Sequence, residues 1–164
     1  MTVERSRHPS RKRGGIKPLD LVQVLQRFEG QSIYFDTNVF IYVLGASADH
    51  AAVCTALLQA CAERRLHGLT GDVTLAELLV RPLQLNDAAA VASVRELLFD
   101  SGCVTVCSHS RTAFERAAAL RAAHGLKLVD ALQLATAVEA GAACLISNDR
   151  QFPAVAGIEC LSLA

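Results

Sequence analysis

The segment Ile33-Tyr34-Phe35-Asp36-Thr37-Asn38-Val39-Phe40-Ile41-Tyr42 decides how the rest of the sequence is interpreted. Its first three residues are large and apolar, which predicts a short buried strand, and a carboxylate follows directly. A helical pattern then runs over residues 37–45, and Thr37 or Asn38 is suited to cap that helix or to orient Asp36. The segment therefore predicts a strand that passes through an acidic turn into a helix.

Short apolar strands and longer helices alternate along the rest of the chain. Further strands are predicted around Leu69-Thr70 and at 103–107, 143–147 and 158–163. Helices are predicted at 19–28, 49–65, 73–80, 87–100, 111–123 and 128–140, and Arg81-Pro82 is expected to end the one at 73–80. This alternation implies crossover connections and a parallel sheet with helices on both faces. The predicted fold class is therefore α/β.

Charge divides the chain into two parts, although 16 basic and 16 acidic residues give a formal net charge of zero. Residues 1–17 hold six basic residues against Glu4, a net charge of +5, so residues 18–164 carry a net charge of −5. A chain of 164 residues has the length of one domain. We therefore expect a flexible basic arm at 1–17 and a single acidic domain at 18–164.

Several classes of protein are excluded by the sequence. The longest apolar run, Val39–Leu44, is far shorter than the ~18 residues that span a bilayer. No apolar stretch typical of an export signal follows the basic arm, so we expect a cytoplasmic protein. The motifs G-x-G-x-x-G and G-x-x-x-x-G-K-[ST] are absent, which argues against the dinucleotide-binding and P-loop classes.

The cysteines and histidines give no sign of a metal site. The six cysteines, at positions 54, 61, 103, 107, 144 and 160, show no C-x-x-C spacing, so reduced and mostly buried thiols are predicted. The five histidines, at positions 8, 50, 67, 109 and 124, lie in the arm or at the ends of predicted elements. A solvated structural role is predicted for each of them.

Four carboxylates lie at or beyond the ends of the predicted strands. In open parallel sheets, ligands bind outside the carboxyl ends of the strands. Carboxylates gathered there repel one another unless cations neutralise them, and Mg²⁺ and Mn²⁺ prefer oxygen ligands. The sequence therefore predicts a divalent-metal site, of the kind that binds through a few carboxylates plus phosphate oxygens of a substrate. Its predicted ligands are Asp36, Glu77, Asp130 and Asp149.

Each of these acids also has a structural alternative. Asp36 and Asp130 are each placed to cap a helix, and Asp149 is placed to form a turn. Glu77 would be costly to bury unpaired in its apolar helix, which favours a role in a site. Three neighbouring polar residues are predicted to support the acids: Thr37, Asn38 and Asn148.

Four segments that contain the acids carry a resemblance to a known family. They are Ile33 to Tyr42, Thr74-Leu75-Ala76-Glu77-Leu78-Leu79-Val80, Val129-Asp130-Ala131-Leu132-Gln133-Leu134-Ala135-Thr136-Ala137 and Ser147-Asn148-Asp149-Arg150-Gln151-Phe152. In this order they resemble the four motifs of the PIN-domain nucleases, over roughly residues 31–163. Gly71 stands where such sequences often have Ser, and Gln133 where many have His. Neither departure removes an acid.

The VapC-like toxins of bacterial toxin–antitoxin pairs are the members that the sequence resembles most. The resemblance implies a three-layer α/β/α sandwich with a central, mostly parallel sheet, and a metal-dependent endoribonuclease that uses Mg²⁺ or Mn²⁺. It assigns metal-binding and catalytic roles to Asp36, Glu77, Asp130 and Asp149. It also implies RNA as substrate, an antitoxin protein as partner and a homodimer, for which the apolar faces of 19–28 and 51–61 would serve.

Two alternatives to the nuclease hypothesis follow from the same residues. The first is a catalytically silent PIN-like module that uses its acidic face to dock a basic protein segment or RNA. The second, a phosphatase of the haloacid dehalogenase type, expects D-x-D, and Asp36-Thr37-Asn38 lacks the second Asp. The basic arm has two interpretations as well: it contacts RNA phosphates without specificity, or it is a solvated tail.

Overall fold

Six parallel strands form one sheet in the computed structural model, which describes residues 17–45, 48–155 and 157–163. The strand order is β1-β6-β5-β2-β3-β4, and every neighbouring pair is parallel. The strands are Lys17–Pro18 (β1), Ser32–Phe35 (β2), His67–Gly71 (β3), Val104–Cys107 (β4), Cys144–Ser147 (β5) and Glu159–Ser162 (β6).

Seven α-helices connect these strands within the described residues. They are Leu21–Arg27 (α1), Thr37–Gly45 (α2), Ala48–Ala62 (α3), Asp72–Gln84 (α4), Ala88–Arg95 (α5), Arg111–His124 (α6) and Leu128–Glu139 (α7). A π-helical turn, Glu96–Asp100, continues α5. The predicted α/β class is confirmed, with helices and strands in the predicted order.

Polar side chains mark where several helices begin. Asp20 accepts hydrogen bonds from the backbone N–H groups of the first turn of α1, and Asp87 and Ser110 do the same for α5 and α6. Such caps satisfy N–H groups that have no partner inside the helix. Gly125 ends α6 with φ of 72°, a conformation that a side chain would disfavour.

Alternating side chains of the central strands divide the interior into two cores. Ile33 and Phe35 of β2 pack with α1 to α5 on one face of the sheet, whereas Tyr34 packs with α6 and α7 on the other. Leu145 of β5 also lies in the second core. Burial of each large side chain stabilises the fold by roughly 1.5–3 kcal/mol. The result is the predicted three-layer α/β/α sandwich.

Helix α4 runs past the point where the sequence predicted its end. Pro82 lies inside α4, which continues to Gln84. Proline removes one backbone N–H, but its fixed φ is compatible with a helix. The next N–H groups find partners, since Leu85 donates to the carbonyl of Arg81 and Asp87 to that of Pro82. The proline therefore costs this last turn one hydrogen bond without breaking it.

The first strand was not predicted. Lys17 and Pro18 pair with Leu161 and Ser162 at one edge of the sheet. Lys17 was expected to be the last residue of the basic arm, and the rest of that arm lies outside the described residues.

The predicted dimer faces are largely used inside the fold. Cys54, Leu57 and Cys61 of the segment 51–61 belong to the first core, as do Val24 and Phe28 of α1. All six cysteines are free thiols, and three of them are fully buried. Val22 of the segment 19–28 is nevertheless exposed, as are Leu83 of α4 and Leu85 just after it.

No single helix among the described residues is long and apolar enough to cross a bilayer. The helices over 37–45 and 50–62 are long and apolar enough only when taken together, and they form a pair bent by 111°. Both contribute side chains to the first core, including Phe40 and Leu57.

Candidate metal centre

The candidate site lies where the order of strands reverses. From β2 the chain proceeds to β3 and β4 on one side, and later returns to place β5 and β6 on the other. Ligands in open parallel sheets bind at this kind of switch point, outside the carboxyl ends of the strands. Asp36 follows β2, and Asn148 and Asp149 follow β5, so these residues stand on the two sides of the switch point.

Asp36 is held by hydrogen bonds to both carboxylate oxygens. Oδ1 accepts from the backbone N–H of Thr37 at 2.8 Å. Oδ2 accepts from the hydroxyl of Ser147 at 2.6 Å and from the amide of Asn38 at 3.0 Å. The side chain is only 7% exposed. Asn38 thus donates to Asp36 as a supporting residue, whereas the only backbone N–H that Asp36 accepts within the described part of the chain is that of Thr37, the first residue of α2.

The loop after β5 is tied to the loop after β2. The backbone N–H of Asn148 donates to Oδ1 of Asn38 at 3.1 Å, and that of Asp149 donates to Oγ of Ser147 at 2.9 Å. The side chain of Asp149 also accepts from the N–H of Gln151 at 2.8 Å, which is the turn anticipated for it. We refer to Asp36, Asn38, Ser147, Asn148 and Asp149 as the floor of the site.

Two further carboxylates stand above this floor on helices, and we refer to Glu77 and Asp130 as the rim. Glu77 of α4 is exposed and accepts a hydrogen bond from the Thr37 hydroxyl at 2.5 Å. Glu77 is therefore not buried unpaired in the core, because α4 turns this position towards solvent. Asp130 lies half-buried in the first turn of α7, and Lys127 occupies the N-cap position without a side-chain capping bond.

Floor and rim together line one open pocket of about 430 Å³. All four predicted acids face it, together with Thr37 and Asn38, whereas Asn148 supports it from the loop beneath. The apolar side chains of Ile41 and Val80 complete the lining. No histidine belongs to this lining among the described residues.

Burial and mutual repulsion raise the pKa of two of these acids. Burial raises the pKa of Asp36 above its ordinary value, the bonds from Ser147 and Thr37 oppose this, and the charges of Glu77 and Asp149 raise it further. Partial burial also raises the pKa of Asp130, as do the charges of Asp36 and Asp149, while Lys127 lowers it. The site is therefore electrostatically suited to a cation.

The donor set fits Mg²⁺ or Mn²⁺. Within the described residues, no three acidic, histidine or cysteine side chains are drawn together into a closed metal cage. Mg²⁺ keeps several waters and is usually bound by one or two carboxylates plus substrate phosphates, so a closed cage is not required. The four carboxylates around the pocket provide oxygen ligands of that kind.

A buried polar network beneath the site was missed from the sequence. Gln133 of α7 is fully buried, and its side chain bonds to Tyr34, Thr37 and Thr74. Thr74 in turn contacts Thr70 at 2.8 Å. Only the clustering of polar residues at otherwise apolar positions of the second and third motifs signals this network in the sequence.

His109 was also missed, because a solvated role was predicted for it. It is half-buried, and its Nε2 accepts from the N–H of Val73 at 3.1 Å, which caps α4. Nδ1 therefore carries the proton and donates to Oγ1 of Thr136 at 2.7 Å. The residue before α4 is Gly71, and a Cβ there would collide with the His109 ring and with Tyr34.

An apolar groove of about 540 Å³ adjoins the pocket and shares Ile41 and Glu77 with it. It runs between α2 and the helices α4 and α5, with Leu44 and Leu85 in its lining. Arg81 and Asp87 supply charges along the groove. The chain thus offers an acidic pocket and an apolar groove side by side.

Three solved structures have the same fold. VapBC2 from Rickettsia felis bound to a DNA fragment from its promoter has a TM-score of 0.63 at 15% identity, over 80% of this chain and 98% of that one. A toxin–antitoxin complex from Klebsiella pneumoniae has a TM-score of 0.57 at 25% identity, over 77% and 94%. Mycobacterium tuberculosis VapC20, a sarcin-ricin loop cleaving toxin, has a TM-score of 0.56 at 17% identity, over 69% and 86%.

No curated protein sequence matches the chain significantly. The family model of the PIN domain, however, matches residues 33–158, a span that contains all four acids of the site. The resemblance predicted from the four motifs is confirmed by this match and by the fold of the VapC-type structures. Because the match extends over well more than half of its length, the chain belongs to the PIN domain family.

Proposed function

We propose that this protein is a Mg²⁺- or Mn²⁺-dependent endoribonuclease, the toxic component of a type II toxin–antitoxin pair that acts in the cytoplasm. The observation that carries the proposal is the meeting of Asp36, Glu77, Asp130 and Asp149 around one open pocket. Membership of the PIN domain family supports nuclease activity. The similar VapC20 is described as a toxin that cleaves the sarcin-ricin loop, which supports RNA as the substrate.

The residues of the pocket have different roles in the proposed reaction. A bound divalent metal would supply activation of water and stabilisation of the leaving oxygen. The floor presents Asp36 in one orientation, because both of its oxygens already accept hydrogen bonds. Asp149 is fixed by the same loop contacts. The openness of the pocket leaves room for a phosphodiester above the four carboxylates.

A cleavage assay tests this proposal. Wild-type protein with Mn²⁺ and ribosomal RNA should give endonucleolytic fragments, and chelation of the metal should stop the reaction. Asp36→Asn should slow cleavage by at least about 100-fold, because it weakens a metal ligand. The control Asp100→Asn changes an exposed acid outside the pocket and should cleave at the wild-type rate. Full activity of Asp36→Asn would show the assignment to be wrong.

An antitoxin is the partner that we propose for the acidic pocket and the adjoining groove. Toxin–antitoxin complexes, one of them a VapBC complex, are among the similar structures. The pocket would accept a basic side chain of the antitoxin, while the groove beside Leu44 and Leu85 would cover apolar residues of the same segment. Leu85→Glu should weaken the complex, measured by co-purification with the product of an adjacent small gene.

A silent binding module remains the second candidate function. The observation that favours it is the acidic lining of the pocket, which suits a basic side chain of a partner as well as a metal ion. Calorimetric titration with Mn²⁺ separates the candidates. Binding that is lost in Asp130→Asn supports the nuclease, whereas no binding by the wild type supports the silent module.

A further inference from the structure

Gln133 is a fully buried polar residue at the centre of the protein, directly beneath the site. Its side-chain oxygen accepts a hydrogen bond from the Tyr34 hydroxyl at 2.5 Å. Its amide nitrogen donates to Oγ1 of Thr37 at 3.1 Å and to Oγ1 of Thr74 at 2.9 Å. An unpaired amide in such a position would be costly, and this one uses both its oxygen and its nitrogen.

Each hydroxyl hydrogen in this network has one preferred acceptor. Tyr34 is fully buried, and its hydroxyl donates to the side-chain oxygen of Gln133. The Thr70 hydroxyl donates to the carbonyl of Phe35, so it accepts from Thr74. The hydrogen of Thr74 is thereby used, and Gln133 already donates to Oγ1 of Thr37. The Thr37 hydrogen is left for the carboxylate of Glu77.

Without Gln133 the Thr37 hydrogen would have a second acceptor in competition with Glu77. The Thr37 and Thr74 oxygens are 3.2 Å apart, so Thr74 is a competing acceptor for the Thr37 hydrogen. Gln133 donates to Thr74 and fills one of the two lone pairs of that oxygen, which makes Thr74 a weaker competitor of the Glu77 carboxylate. Glu77 itself is exposed and lies on a helix surface, where a free side chain samples several rotamers.

We propose that Gln133 is a positioning residue, which directs the Thr37 hydroxyl onto Glu77 and so holds the Glu77 carboxylate over the pocket before a metal binds. This inference rests on the proposed function, because it takes Glu77 as a metal ligand. The carboxylates would then be oriented in two ways. Asp36 is oriented by hydrogen bonds within the floor, and Glu77 is oriented by the network that starts at Tyr34.

A double-mutant cycle tests the proposal. Gln133→Met keeps the length of the side chain and removes its hydrogen bonds, so Mn²⁺ affinity measured by calorimetry should fall by about tenfold. Glu77→Gln should also weaken binding, and adding Gln133→Met to Glu77→Gln should have little further effect. The control Gln84→Met, at an exposed position of α4, should bind as the wild type does.

A merely structural role for Gln133 gives a different result. It would lower the unfolding temperature of Gln133→Met, yet leave Mn²⁺ affinity unchanged or reduce it equally with and without Glu77→Gln. Either outcome would overturn the proposal. If Gln133→Met does not fold, Tyr34→Phe removes one hydroxyl of the same network and should show a smaller loss of affinity that again disappears in Glu77→Gln.

The two proposals fail in distinguishable ways. If the wild type binds no Mn²⁺, or if Asp36→Asn cleaves RNA at full rate, the nuclease assignment is wrong. The positioning role of Gln133 is then wrong as well, because it depends on that assignment. If the wild type binds Mn²⁺ through Asp36 but Gln133→Met binds equally well, only the positioning role is wrong. Thr37→Ser keeps the hydroxyl and should bind Mn²⁺ as the wild type does, whereas Thr37→Val removes it and should bind more weakly. That difference would further support a path through this hydroxyl.

Discussion

The floor and the rim of the pocket hold their carboxylates by different physical means. Asp36 in the floor is 7% exposed and accepts three hydrogen bonds, one from its own turn and two from neighbouring side chains. Asp130 in the rim is half-buried, and no described residue donates a hydrogen bond to it. The floor is therefore fixed by the fold itself, whereas Asp130 of the rim is free to adjust to what binds.

The largest expected difference is in metal affinity. Asp36→Asn should reduce Mn²⁺ affinity by about 100-fold or more, because the floor presents this ligand without reorganisation. Asp130→Asn should reduce Mn²⁺ affinity by only about tenfold. The Asp130 carboxylate loses conformational entropy when it binds the metal, and this loss offsets part of its interaction energy. Calorimetry on both variants measures the two losses. Equal losses would remove the distinction between floor and rim.

A second expected difference concerns stability. Ser147→Ala removes the hydroxyl that donates to Asp36 and accepts from Asn38 and Asp149. It should lower the free energy of unfolding by about 1–3 kcal/mol, because buried partners are left unsatisfied. Ser93→Ala, which removes an exposed hydroxyl bonded to its own helix, is the matched control and should change little. Denaturant unfolding of both variants decides between these outcomes.

A third prediction concerns the pH dependence of metal binding. Metal competes with protons for carboxylates, and the pKa of both Asp36 and Asp130 is raised. Acidification should therefore weaken Mn²⁺ binding from a pH above the ordinary carboxyl range, by up to about tenfold per pH unit for each proton displaced. Titrations at a series of pH values test this. Affinity that stays constant into the ordinary carboxyl range would contradict the raised pKa values.

The smallest expected effect is a gain in stability. The raised pKa of Asp130 means that the folded protein holds this proton more tightly than the unfolded chain does. Stability of the metal-free protein therefore falls as pH rises through the window from the ordinary carboxyl pKa to the raised one. Asp130→Asn removes this penalty and should unfold at a slightly higher temperature near pH 7 in the presence of chelator.

The exposed acid Glu115 gives the control for that measurement. Glu115→Gln changes the net charge by the same amount and should leave the unfolding temperature unchanged. The advantage of Asp130→Asn should also shrink as pH is lowered towards the ordinary carboxyl pKa, where the wild-type carboxyl becomes protonated in both states. A gain that is the same at all pH values would point to another cause.

The sequence predicted the features that depend on local pattern. Three apolar residues before Asp36 predict a buried strand, and the position of the acid after that strand then follows from the geometry of parallel sheets. Pro82 shows the limit of such local rules, since it lies in the last turn of α4, where losing one N–H has little effect. Lys17 and Pro18 form too short a strand to show any periodicity.

The polar network beneath the site depends on the tertiary fold. Tyr34 and Gln133 are 99 positions apart in the sequence, and nothing in the spacing between them indicates that their side chains meet. His109 likewise caps α4, which begins at Asp72, 37 positions earlier in the sequence. These contacts require knowledge of which strand lies beside which, and that order comes from the whole chain.

Gly71 and His109 together restrict the order in which this protein can change during evolution. A Cβ at position 71 would collide with the His109 ring and would lie 2.5 Å from the Tyr34 hydroxyl. A serine at position 71, common in the sequences that this chain resembles, therefore becomes acceptable only after position 109 has lost its imidazole. In that order α4 has no cap from either residue for as long as the glycine remains. The two positions are thus expected to change as a pair.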